Sequence, residues 1–130
     1  MKRDMDVIRS LLMRLEAMNS NPHRVLLIRG GEPELCVDGA SLDTVKYHLA
    51  LLRERGLIEP QEGGTLDGGI YFRRLTWEGH DFVDAVRDED IWHKTRHGAL
   101  SAGSWTFDLV KELAKGFIKK QIEQRTGGVL

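Results

Sequence analysis

Two histidines four residues apart, His93 and His97, are the clearest hint of chemistry in this sequence of 130 residues. On a helix that spacing turns both imidazoles to one face, where a zinc ion could take them, and His80, Asp81 and Asp84 come shortly before. The neighbouring residues argue against a metal. A zinc-protease helix carries Glu beside its first histidine, whereas here Lys94 and Arg96 would repel a divalent cation, and no third ligand shares the spacing. Solvated surface histidines are the expected reading, with His80 serving a helix start near Thr76. No glycine pair is followed by the Lys-Ser or Lys-Thr of a phosphate loop. The single Cys36 cannot form an internal disulfide, and between Leu35 and Val37 it is expected to be a buried small hydrophobe. These residues predict a non-catalytic chain without metal or cofactor.

Charge narrows the partners. The chain carries 19 Lys+Arg against 20 Asp+Glu, a formal net charge of -1, so it offers a polyanion no overall field and any nucleic-acid surface must be local. The stretch Asp81 to Asp90 sets Asp81, Asp84, Asp88, Glu89 and Asp90 against Arg87 alone, which reads as a solvated face and a set of helix caps. At the N-terminus Asp4, Asp6, Arg9 and Arg14 break the apolar residues, unlike a signal peptide. Val25 to Ile28, the longest aliphatic run of the first half, is far short of the ~20 residues a membrane span needs. With one cysteine, these features point to a cytoplasmic protein with no membrane contact.

The elements that would position these residues follow from periodicity and caps. Met5, Ile8, Leu12 and Leu15 predict an amphipathic helix over about residues 4 to 18. Turn formers around Val25–Ile28 and Leu35–Val37 predict two short strands or extended segments. Ser41 is placed to cap a helix carrying Val45, Leu49 and Leu52, and Gly56 to end it, giving a helix over 42–55. Residues 57–75 read as a glycine-centred hairpin, a candidate wing. Thr76 and Asp88 then cap two helices, Ser104 opens a last one reaching about Gln124, and the Gly127, Gly128 tail is expected to fray. The order is that of an α+β, winged-helix-like chain, divided at about 1–98 and 99–130, with the last helix packed on the domain or on a partner subunit.

Four segments in this order, "MKRDMDVIR", "YHLALLRERGLI", "RLTWEGHDFVDAVRDEDIW" and "TFDLVKELAKGF", resemble domain-of-unknown-function family 2513. The resemblance covers nearly the whole chain. It implies a small winged-helix-like protein of bacterial or prophage genomes without an established activity, and it carries over no catalytic residue.

The DNA-reading alternative rests on the 42–55 helix and the 57–75 hairpin, with Lys46, Tyr47, Arg53, Arg73 and Arg74 as the candidate contacts. It is the weaker reading, because cations supply most of the affinity for phosphate and Lys46 stands close to Asp43. The hairpin tip from Gln61 to Gly69 holds Glu62 and Asp67 without Lys or Arg, and Arg73 and Arg74 could equally pair with Glu78 and Asp81. Leu49 and Leu52 are expected in the core, with Tyr47 and His48 at the helix edge and their polar ends in water. Trp77, Trp92 and Trp105 each stand near the start of a C-terminal helix, where their rings are expected to pack helices together.

Self-association is expected of the last helix. Trp105, Leu109, Leu113 and Phe117 form one stripe that can dock on its own domain. Phe107, Ile118 and Ile122 fall on a second face, which predicts a homo-oligomer. The leading expectation is therefore a regulatory or adaptor module acting through protein contacts, and the alternative is a DNA-binding transcriptional regulator.

Overall fold

The computed structural model describes residues 1–127, which hold five helices and a two-stranded antiparallel sheet. The α+β expectation holds at that level. The chain forms two compact units, Met1–Asp81 and Phe82–Leu130. The division falls within the third helix, and in the second unit the last two helices pack on each other.

In the first unit, α1 spans Met5–Met18 and is opened by Asp4, whose carboxylate accepts the Asp6 N–H at 2.9 Å. Its apolar stripe, Met5, Ile8, Leu12 and Leu15, is buried as the spacing requires. The β1 strand covers Leu26–Ile28. The second segment, Leu35–Val37, expected as a strand or extended segment, begins in a 3-10 turn at Pro33–Leu35 and is extended at Cys36. Pro33 fixes the turn's first position, and Cys36 just beyond it is exposed rather than buried.

Helix α2, Leu42–Arg55, matches its expected bounds. Ser41 accepts the Thr44 N–H at 3.1 Å, and Gly56, at φ 77°, takes the left-handed conformation that lets the Leu57 N–H return to the Leu52 carbonyl at 2.9 Å. The expected hairpin is reorganised. Its two arms meet at a single bridge, Ile58 with Leu75, whereas β2, Ile70–Phe72, pairs antiparallel with β1, setting Leu26 opposite Phe72 and Ile28 opposite Ile70. The Gln61–Gly69 stretch has no alternating apolar residues with which to extend the first arm. It closes locally instead, the Thr65 N–H donating to the Gly69 carbonyl at 3.0 Å.

Helix α3, Trp77–Val86, starts at Thr76, whose hydroxyl accepts the Gly79 N–H at 3.1 Å and donates to the Gly56 carbonyl at 2.6 Å. This brings the first turn of α3 so close to the end of α2 that a Cβ on Gly79 would collide with the Leu57 carbonyl oxygen.

In the second unit, α4 covers Glu89–Ser101 and α5 covers Phe107–Arg125. Asp88 caps α4, accepting the Ile91 N–H at 2.9 Å, and so separates it from α3. Thr106, not Ser104, caps α5, because the Ser104 N–H still closes the end of α4 by donating to Ala99. Phe82 and Phe107 stack with centroids 4.7 Å apart, Trp92 and Trp105 lie 5.7 Å apart, and Val110 and Ala114 are buried. Gly127 is exposed, while Gly128, the other half of the expected frayed pair, lies outside the described residues.

Candidate functional site

The outward face of α2 and the 57–75 segment bring together most of the residues expected to touch DNA. Lys46 runs its stem beside Gly30 and Gly68, and its ammonium donates to the Asp67 carbonyl oxygen at 2.9 Å. The Asp67 carboxylate takes Arg29 at 3.1 Å and the Thr65 hydroxyl. The Thr65 hydrogen bond, with the Gly69 N–H and the charges of Arg29 and Lys46, holds the carboxyl below its ordinary range against some desolvation. One exposed aspartate thus organises two cations and the turn.

A second knot forms at the base of the segment. Arg73 and Arg74 each reach Glu59 at 2.6 Å, rather than Glu78 or Asp81. Desolvation pushes the Glu59 carboxyl up, but the hydrogen bonds and charges of Arg74 and Arg73 outweigh it and hold the group below its ordinary value. Arg55 pairs with Glu78 at 2.9 Å. Arg53 is exposed. Tyr47 is 37% exposed and meets the His48 ring edge-on at 5.5 Å. At the tip, Leu66 is fully exposed next to Asp67.

His48 departs most from expectation. Its side chain is fully buried, with Nε2 accepting the Asp4 N–H at 2.8 Å and Nδ1 at 2.7 Å from the Thr44 carbonyl. A carbonyl can only accept, so the ring is the Nδ1–H tautomer and ties α2 to the start of α1. The signal was in the spacing, since His48 shares the helical stripe of Val45, Leu49 and Leu52.

The residues considered for chemistry are scattered. His93 and His97 are exposed on α4, and His80 approaches Glu16 at 3.5 Å. Among the described residues no group of three or more His, Cys, Asp or Glu could hold a metal ion. A cavity of about 350 Å³ between the starts of α1 and α2 is lined in part by Asp4, Asp38 and Arg14, and Arg14 donates to the Glu34 carbonyl. Among the described residues no helix is long and apolar enough to cross a membrane.

On α5 the faces are exchanged relative to the spacing argument. Phe107 is buried by its stack with Phe82 and belongs to the docking side, so it leaves no surface for a second subunit. Ile118 is half-buried and Ile122 is 42% exposed. The stripe expected to dock, Leu109, Leu113 and Phe117, is half-buried and lines an open apolar groove of about 310 Å³. Of the three tryptophans, Trp92 is buried and Trp105 half-buried, while Trp77 is 85% exposed.

An uncharacterized protein of Haemophilus influenzae is 32% identical over 124 residues, spanning 94% of this chain and 99% of its own length. No solved structure matches the chain. The model of the family described as "Hypothetical protein (DUF2513)" matches residues 2–105, most of the described fold up to the linker before α5, and the chain belongs to that family.

Proposed function

We propose that the chain is a non-catalytic, winged-helix-like binding module, regulatory or adaptor in kind, that works through protein contacts and self-association. The order α1, β1, α2, glycine-rich segment, β2, α3 supports the winged-helix reading, with the 57–75 segment as wing. The single observation that carries the choice of partner is the state of the cations on the face where such a fold would meet DNA. Arg73 and Arg74 are bound to Glu59, Arg29 to the Asp67 carboxylate and Lys46 to the Asp67 carbonyl. A phosphate would have to displace these partners, and counterion release, the main source of affinity for duplex, is correspondingly reduced. The tip presents Leu66 in place of a base, and the same unit exposes Trp77, side-chain types that suit an apolar protein partner.

The reading is tested by titrating a labelled random duplex with the intact chain. The expected affinity is no tighter than ~10⁻⁵ M at physiological salt, with a shallow salt slope. A nanomolar duplex complex weakened by Lys46→Ala and Arg53→Ala would replace it with the transcriptional-regulator alternative.

A further inference from the structure

The groove on α5 has a charge pattern that inverts on itself. Its lining is Leu109, Glu112, Leu113, Gly116, Phe117 and Lys120, which at about 100° per residue share one side of the helix, with Phe117 at its edge beside buried Val110. Gly116 sits between Glu112 on one side and Lys120 on the other, four residues each way in the sequence. A Cβ built on Gly116 meets no atom within 4 Å, so the groove floor is open there. The wider helix mixes its charges, with Asp108, Lys111, Glu112 and Lys115 in its first half and Lys119, Lys120, Glu123 and Arg125 in its second, so the pattern belongs to the groove.

We propose that this groove is the self-association surface, and that its occupant is α5 of a second copy, antiparallel and crossing at Gly116 about a two-fold axis. An axis through Gly116 sets Glu112 of each copy opposite Lys120 of the other, so one favourable pair is made twice. It also interleaves Leu113 of each copy with Phe117 of the other, and glycine at the crossing lets the backbones approach. A parallel pair would align acid with acid and base with base along the helix and is disfavoured. The existing link from Glu112 to Lys115, at 3.9 Å and largely exposed, is too weak to hold the carboxylate against this exchange. One helix per subunit buries less than a standard interface, so the pair belongs to the weak end, with a dissociation constant of about 10 to 100 µM.

This deepens the proposed reading, on whose self-association it rests, and charge reversal in the full chain separates the two. Sedimentation of the intact protein up to about 300 µM is expected to show a monomer–dimer equilibrium. Glu112→Lys alone and Lys120→Glu alone each set like charges opposite and weaken it by about tenfold, whereas the two together restore it to within about threefold. Gly116→Gln is expected to abolish the dimer without lowering the melting temperature measured at dilution, since the monomer has room for the side chain. A dimer indifferent to all four variants overturns the α5 surface and leaves self-association to another face. A monomer throughout the range overturns the α5 surface and the self-association with it. In both cases the protein-contact reading stands or falls separately, on the duplex titration.

Discussion

His48 Nε2 accepts the backbone N–H of Asp4 at 2.8 Å, so the residue that opens α1 is held by a fully buried ring of α2. The same ring donates from Nδ1 to its own helix at Thr44. His48→Ala removes the ring and both bonds and is expected to cost about 3 kcal/mol, while His48→Phe keeps most of the volume, leaves the Asp4 N–H unpaired and costs about 1 to 2 kcal/mol. Urea midpoints at constant slope would check the order. Phenylalanine as costly as alanine would show that packing is not what separates the two.

Two helical glycines should respond to alanine with opposite sign. At Gly79 the new Cβ runs into the Leu57 carbonyl oxygen, and separating α3 from the end of α2 should cost about 2 kcal/mol despite alanine's better helix propensity. At Gly116 the Cβ meets nothing within 4 Å, and the same change should stabilise the monomer by about 0.5 to 1 kcal/mol. Thermal melts at low micromolar concentration compare them. A neutral Gly79→Ala would mean that the α3 contact relaxes freely.

The Glu59 knot gives a pH-dependent contribution whose sign follows from its lowered folded-state value. The ionised carboxylate favours the folded chain, so its stabilisation is fully present above the unfolded value, near 4.5, and is lost as pH falls through the depressed folded one. Glu59→Gln should therefore cost about 1 kcal/mol at neutral pH, and the gap to the intact protein should close in acid. Denaturation series at neutral and acid pH measure it. A gap that persists undiminished in acid would assign the cost to packing rather than charge.

Caps and helical stripes made α1, α2 and the glycine stop at Gly56 readable from the sequence, because each is decided by neighbours along the chain. The sheet was not readable in that way. β1 and β2 pair across more than forty residues, and nothing local tells Ile70–Phe72 to prefer Leu26–Ile28 over the first arm of its own hairpin. For the candidate surface, the cations themselves were legible as Lys46, Arg73 and Arg74, but their partners were not. Asp67 and Glu59 reach them only once the turn has closed and the two arms have met. On α5 both apolar arcs were visible, and the choice between them was made by the long-range stack of Phe107 on Phe82.

Amide chemical-shift mapping of the full chain with a random duplex of about 20 base pairs tests the choice of partner most directly, because it reads the α2 face and the 57–75 segment residue by residue. With Lys46, Arg73 and Arg74 already bound inside the protein, the account predicts that the amides of residues 42–55 and 57–75 stay unmoved at equimolar duplex and physiological salt. Saturable shifts centred on Lys46, Tyr47 and Arg53 at low micromolar duplex would contradict it.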